Sequence, residues 1–209
     1  MSDIDLNKMN NMQYDVLREI GNIGAGNATT ALSQMINSRI EMKVPKVEIL
    51  EFSEIAEIVG GPEKIVVGIL FTLGGDIDGM MVFMTDKPAS MHMVNILLGN
   101  QKQTKIADDY EFNEMELSAL SEIGNIIAGA YLSSLSTLTN LKILPSIPYL
   151  AIDMAGAILS VPAIEFGKIG DKGLLIETEF GDKDKAVNGY FILIPSLDSY
   201  AAILKSLEL

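Results

Sequence analysis

The sequence predicts an α/β protein of the α+β sandwich type, in which two similar halves share one sheet covered by helices. Residues 17–37 and 120–140 are identical at 11 of 21 positions, at an offset of 103 residues. Each segment is followed by apolar, often β-branched runs bounded by Gly, Asp or Pro, which are typical of strands. We therefore predict an internally duplicated, pseudo-twofold fold with a mixed, mainly antiparallel sheet flanked by two long equivalent helices.

In each half the predicted order is a long helix, a strand, a short helix or loop, two strands and a helix. Strands are predicted at 44–52, 64–73, 79–84, 147–154, 173–180 and 189–194, and closing helices at 88–98 and 195–207. Residues 73–79 and 181–189 read as hairpin connections, and the polar residues 99–111 read as a linker. We predict a single domain, 1–209, built of two repeats at approximately 1–103 and 104–209.

The composition excludes several kinds of chemistry. The chain has no Cys, which excludes disulfides and thiolate sites, and one His, which leaves little for His-based triads or metal sites. A net charge of −13 disfavours nucleic acid as a partner, because phosphates require a basic surface. No apolar run approaches the ~18–20 residues that span a membrane, and no signal peptide is evident. We therefore expect a cytoplasmic protein without membrane insertion, and we place His92 at the surface or at an interface.

The repeated helices have one apolar and one polar side. At about 100° per residue, one side of the first helix carries Leu17, Ile20, Gly21, Gly24, Ala28, Ala31, Leu32 and Met35. The same side of the second helix carries Leu120, Ile123, Gly124, Ile127, Tyr131, Leu135 and Leu138. We predict that these sides face the core.

The opposite side carries matching polar residues in both copies. They are Asp15, Glu19, Asn22 and Gly26 in the first helix, and Ser118, Glu122, Asn125 and Gly129 in the second. Glu and Asn three residues apart are neighbours on a helix surface. An exposed glycine inside a helix costs roughly 0.5–1 kcal/mol relative to alanine. That cost at matching places indicates a docking surface, although solvated residues copied by duplication would give the same pattern.

The chemistry open to such a pair is limited. An amide cannot act as a base, but it can donate and accept hydrogen bonds to hold a water, while a carboxylate can anchor a cation. The pair suits the orientation of an attacking water against an electrophile that a partner holds. Phosphoryl transfer fits this description, because positioning and charge stabilisation supply most of its catalysis.

The motif Asp/Ser-x3-Glu-x2-Asn-x22-Pro occurs twice, ending at Pro45 and at Pro148. With the sequence EIGNI in both copies, the whole chain resembles the CheC-type chemotaxis phosphatases of the CheC/CheX/FliY group. Two intact motifs without a flagellar-switch domain resemble the short CheC form.

The resemblance implies dephosphorylation of the phosphorylated response regulator CheY. It implies that Glu19 and Glu122 pair with a lysine of the regulator, and that Asn22 and Asn125 enter its active site and position the hydrolytic water. The remaining motif residues would support the site: Asp15, Ser118, Pro45, Pro148, Gly26 and Gly129. No cofactor of the chain's own is implied, because the regulator supplies Mg²⁺.

The resemblance also implies CheD, a receptor glutamine deamidase, as a partner. A candidate contact is the stretch 152–158 with its single charge, Asp153, although a strand leading into a core helix would look the same. Two functions are therefore open: a phosphatase, or a binding module that mainly holds and regulates CheD. A small-molecule hydrolase using Asp15 and Glu19 is disfavoured, because an outward helix face offers no pocket.

Overall fold

The computed structural model describes residues 11–36, 40–99, 110–166, 172–181 and 186–207. Its helices are α1 (Asn11–Ile36), α2 (Phe52–Val59), α3 (Lys87–Leu98), α4 (Glu114–Thr139), α5 (Ala155–Phe166) and α6 (Leu197–Ser206). Its strands are β1 (Glu41–Glu51), β2 (Ile65–Gly75), β3 (Gly79–Asp86), β4 (Ile143–Pro145), β5 (Tyr149–Met154), β6 (Lys172–Gly181) and β7 (Ala186–Pro195). The first hairpin lies where it was predicted; the polar tip of the second, 182–185, and linker residues 100–109 lie outside the described residues.

The strands form one sheet in the order β1-β6-β7-β3-β2-β4, with β5 also paired to β2. Every pairing among the described strands is antiparallel. The α+β class with a mainly antiparallel sheet is therefore confirmed, whereas the predicted mixed character is not observed among the described strands.

The two halves of the chain exchange strands. β1 pairs with β6 of the second half, and β5 pairs with β2 of the first half. At the centre β3 pairs with β7, and Val82 lies directly opposite Ile192. These two residues correspond at the offset of 110 that aligns β3 with β7 in sequence. An internal duplication predicts this arrangement, because a twofold axis through the central pair would relate each strand to its counterpart.

Both faces of the sheet are buried under helices. Alternate residues of a strand point to opposite faces; Ile69, Met81 and Phe83 join a core with α1 and α4. Leu70, Met80 and Val82 join a second core with α2 and α5. This double burial explains the uninterrupted apolar sequence of β3, and it leaves the outer side of α1 and α4 facing away from the sheet.

The helix boundaries follow from local chemistry. The Asn113 side chain accepts hydrogen bonds from the backbone N–H groups of Met115 and Glu116, and Glu116 accepts one from the Asn113 N–H. This reciprocal capping box starts α4. Gly99, with φ of +67°, ends α3 in the left-handed conformation that favours glycine.

Three sequence predictions fail in detail. Ala31, Met35 and Leu138, predicted for the core side, are exposed, Met35 and Leu138 at 42% and 43%, because they lie toward the C-terminal ends of α1 and α4, where neighbouring elements cover less of the helix. The prediction for His92 was also wrong, since this residue is buried in α3. The short strand β4, which gives the second half one strand more than the first, was not predicted, because three residues are too few to show a periodic pattern.

Candidate functional site on the outer faces of α1 and α4

The polar residues predicted on α1 lie on its exposed face. The side chains of Asp15, Glu19 and Asn22 are exposed, and so is Gly26. The opposite side of the helix is held against the sheet, where a Cβ on Gly21 would meet Val44 Cγ1 at 3.3 Å. The close approach at Gly21 therefore fixes the rotation of α1, which turns its next residue, Asn22, outward.

The second helix is oriented by an equivalent glycine. A Cβ placed on Gly124 would meet the side chain of Ile69 in β2, so this glycine also lies against the sheet. Its neighbour Asn125 is exposed, together with Glu122 and Ser118, whereas Gly129 is partly exposed. The two sets of matching polar residues form one polar stripe on each long helix. The α1 stripe is Asp15, Glu19, Asn22 and Gly26, and the α4 stripe is Ser118, Glu122, Asn125 and Gly129. Both stripes thus lie on the outside of the molecule.

The two long helices also contact each other closely. Gly24 accommodates the ring of Tyr131, since a Cβ on Gly24 would lie 2.7 Å from its Cδ1. Asn27 Nδ2 donates a hydrogen bond to Ser134 Oγ at 3.1 Å. These contacts hold the two polar stripes in a fixed relation, and they show that Gly24 allows α1 to pack closely on α4.

Tyr131 links α4 to the sheet beneath both helices. Its ring lies 4.8 Å from that of Phe191, and its hydroxyl is 3.2 Å from Thr178 Oγ1. Burial raises the pKa of Tyr131 to about 12, so the group is neutral at physiological pH. Sequence reasoning placed Tyr131 in the core but gave no sign of its pairing with Thr178, which is distant in the chain.

The Glu and Asn side chains of the two stripes are not engaged within the molecule. Glu19, Asn22, Glu122 and Asn125 are exposed and make no hydrogen bond or ion pair with any of the residues that the structure describes. A carboxylate and an amide one helical turn apart are therefore available, on each helix, to groups of another molecule.

The leading residues of the two motifs are held differently. The Asp15 carboxylate accepts a hydrogen bond from Arg18 at 2.9 Å, in an exposed ion pair. The Ser118 hydroxyl instead donates to the backbone carbonyl of Glu114 in its own helix. The stripe of α1 thus carries a cation beside it, and the corresponding residue of α4 is the neutral Ser121. Sequence reasoning missed Arg18, although its position three residues after Asp15 was a visible signal for the pair.

The glycines one turn beyond the asparagines have no packing role within the chain. A Cβ on Gly26 or on Gly129 would meet nothing within 4 Å. The energetic cost of glycine in a helix is therefore not offset by an internal contact at either position.

The prolines that close the two motifs occupy different surroundings. Pro45 lies within β1 between Lys43 and Lys46, where the register with β6 shifts. It follows Val44, the residue packed under Gly21. Pro148 lies between β4 and β5 and follows Ile147, which is 88% exposed. The backbone at Pro45 therefore lies at an irregularity of β1, whereas Pro148 lies beside the exposed Ile147.

Asp153 lies apart from both stripes, on the outer strand β5. Its side chain is exposed, and its Oδ1 accepts a hydrogen bond from the Met154 N–H at 2.8 Å. Around it β5 exposes Tyr149 at 69% and Met154 at 42%, and Ile147, two residues before β5, is 88% exposed. Sheet edges of this kind can pair with another chain.

Within the described ranges, no cluster of three or more His, Asp or Glu side chains could hold a metal ion. No helix of the described part of the chain has the length and apolar character to cross a membrane.

One antiparallel sheet with helices on both faces, and a matching exposed Glu–Asn pair on each long helix, define an α+β protein with two equivalent candidate sites. The model of the CheC-like family matches residues 12–49 and 115–150, two segments that begin 103 residues apart and contain both motifs. The CheY-P phosphatase CheC of Bacillus subtilis strain 168 is 34% identical over 197 residues, which cover 93% of each chain. This chain therefore belongs to the CheC-like family.

Two further proteins are similar over different extents. The flagellar motor switch phosphatase FliY of Bacillus subtilis strain 168 is 26% identical over 139 residues, which are 66% of this chain and 35% of that protein. The crystal structure of Thermotoga maritima FliY superimposes with a TM-score of 0.75 and 22% identity, covering 96% of this chain and 98% of that one. The latter likeness establishes the fold.

Proposed function

We propose that this chain dephosphorylates the phosphorylated chemotaxis response regulator CheY. The proposal is supported by the name of the relative that is 34% identical over 93% of this chain. The observation that carries it is the exposed, unengaged Glu–Asn pair on each long helix. Both pairs lie on convex helix faces, which suits insertion into the concave site of a partner.

Each residue of the pair has a separate role in the proposed reaction. Glu19 or Glu122 pairs with a lysine of the regulator and fixes the docked orientation. Asn22 or Asn125 holds a water through its amide, which can accept and donate hydrogen bonds at once. The phosphoryl group is carried by an aspartate of the regulator. The water attacks the phosphorus, the bond from phosphorus to that aspartate's oxygen breaks, and inorganic phosphate leaves. The regulator supplies the Mg²⁺, so the reaction needs no cofactor of this chain.

The first experiment compares the decay of phosphorylated CheY from the same organism, in Mg²⁺, with and without this protein. The double variant Asn22→Ala/Asn125→Ala should lose the acceleration by about 10²-fold or more, since misplacing a reacting group by 1 Å can cost that much. The matched control is Gln34→Ala/Thr137→Ala, at equivalent exposed positions of α1 and α4 outside the two stripes. A fully active Asn double variant would refute the mechanism, provided that circular dichroism shows it folded.

A second function is favoured by the exposed apolar edge at β5. We infer that this edge, with Asp153, binds CheD and regulates its receptor deamidation. The other outer strand, β1, carries a partly exposed charged pair, in which Lys46 Nζ lies 2.7 Å from Glu48 Oε2. Charged residues are a common protection of sheet edges, so the apolar β5 edge is the one suited to a partner.

This second function is tested by binding. Asp153→Asn should weaken CheD binding in a titration while leaving dephosphorylation of CheY unchanged, because Asp153 lies apart from both stripes. Asp78→Asn, another exposed aspartate, is the control. Equal CheD affinity of both variants and the wild type would count against this contact.

A further inference from the structure

An apolar residue lies on the same outer face as the Glu–Asn pair, at the same position in both long helices. Met12 in the first turn of α1 is 65% exposed, and Met115 in the first turn of α4 is 68% exposed. They correspond at the offset of 103 that aligns the two motifs. Met12 precedes Asp15 by three residues, so it continues the stripe toward the start of the helix.

Single exposed apolar residues are common on protein surfaces and need no explanation. A comparison of α1 with α4 distinguishes these two from the rest. Twelve residues from Met12 to Met35 are exposed, and five of them have the same residue type in α4. Those five are Met12, Glu19, Asn22, Ile23 and Gly26.

The five shared residues lie close together on the helix surface. At about 100° per residue they fall within an arc of about 100°. Of the seven exposed residues that differ, five lie outside this arc: Arg18, Asn27, Ala31, Gln34 and Met35. Five of the seven exposed residues inside the arc are the same in both helices, whereas none of the five outside it is. This pattern is expected if both helices bind the same partner through this arc. Glu19, Asn22 and Gly26 already belong to the candidate site. The two remaining residues, Met12 and Ile23, are apolar.

We propose that Met12 and Met115 are docking residues that bind apolar side chains on the surface of the phosphorylated response regulator, outside its active site. This inference rests on the proposed function and adds to it an apolar contact next to the polar one. A methionine suits the task, because its flexible thioether adapts to irregular surfaces and is frequent at binding sites. Each methionine precedes its asparagine by ten residues, about 15 Å along the helix axis. It therefore touches the partner outside the reaction and should affect affinity and not the chemical step. Ile23, 37% exposed, lies next to Asn22 and belongs to the same apolar contribution.

The test is the double variant Met12→Gln/Met115→Gln, which keeps the side-chain length and the helix propensity. We expect the KM for phosphorylated CheY to rise about tenfold, which corresponds to about 1.4 kcal/mol, with kcat unchanged. The control is Met35→Gln/Leu138→Gln, at equivalent positions on the other side of the helices with exposures of 42% and 43%. The control should leave both constants at the wild-type value.

An unchanged KM in the Met12/Met115 variant would overturn the inference. So would an equal rise in the control, or a loss of kcat without a change in KM. If the proposed function itself is wrong, the wild-type protein will not accelerate the decay of phosphorylated CheY, so this outcome is distinct from a failure of the present inference. In that case the affinity of the same two variants for phosphorylated CheY, measured by titration, still decides whether the methionines bind it.

Discussion

At the scale of single residues, the glycines of the two long helices divide into two kinds. Gly21, Gly24 and Gly124 lie against side chains that a Cβ would crowd, whereas Gly26 and Gly129 face open space. The sequence predicted this division from helical angles, because burial follows the periodicity of the helix. It could not predict which side chain fills the space beside each glycine, since Tyr131 and Gly24 belong to different helices.

We expect Gly26→Ala/Gly129→Ala to separate stability from activity. The substitution should stabilise the fold by roughly 0.5–1 kcal/mol at each position, because alanine favours the helix and meets no neighbour. Dephosphorylation of CheY should fall, since the added methyl groups lie where the partner docks. Thermal melts and regulator decay measure the two effects. Gly24→Ala is the contrasting variant, and it should lower the melting temperature because of Tyr131.

Tyr131 predicts a loss of stability at high pH. Because its pKa is raised to about 12 in the fold, the unfolded chain, with an ordinary pKa near ~10, releases the proton first. The contribution of Tyr131 to the free energy of unfolding is therefore complete below pH ~10, and it falls by roughly 1.4 kcal/mol per pH unit up to pH ~12. Tyr131→Phe should flatten this decline in denaturant titrations, although it loses the hydrogen bond with Thr178 at neutral pH. Parallel declines in wild type and variant would contradict this account.

At the scale of elements, most helices and strands were predictable because each carries its own apolar pattern, either a helical period or an uninterrupted apolar run between turn residues. Both long helices and six of the seven described strands follow the predicted order. The elements that were missed or misplaced depend on tertiary neighbours. β4 exists through its pairing with β2, from Leu73 opposite Pro145 to Gly75 opposite Ile143. The candidate site was predictable for a related reason: its residues belong to single helices, and one helix is enough to place them together.

Because α1 and α4 each carry a complete stripe, we expect the two sites to act separately. Asn22→Ala and Asn125→Ala should each retain part of the wild-type rate of CheY dephosphorylation, and the double variant should lose it. The two remaining rates need not be equal, since Arg18 flanks the α1 stripe and Ser121 occupies the matching place in α4. Single-turnover decay of phosphorylated CheY measures them. Complete loss of activity in one single variant would show that the unsubstituted site on the other helix is inactive.

At the scale of the whole molecule, the exchange of strands makes the two halves depend on each other. The central pair, β3 with β7, brings Phe83 and Phe191 into a stack with ring centroids 4.6 Å apart. Tyr131 of α4 lies on the same aromatic cluster, so the helices that carry both stripes rest on the junction of the halves. The sequence predicted two similar halves, but their manner of joining depends on pairings between residues more than a hundred positions apart, such as Glu48 with Leu175.

We therefore expect that neither half folds alone as a monomer. In the fragment 1–103, β1 lacks its partner β6, β2 lacks β5, and Gly24 lacks Tyr131. The exposed strand edges and apolar faces should leave the fragment unfolded, or drive two copies to replace the missing half with their own strands. Mixing it with the fragment 104–209 should restore the sheet and the phosphatase activity. Size-exclusion chromatography and circular dichroism distinguish these states. A stable, cooperatively folded monomer of either fragment would show that the halves are separate domains.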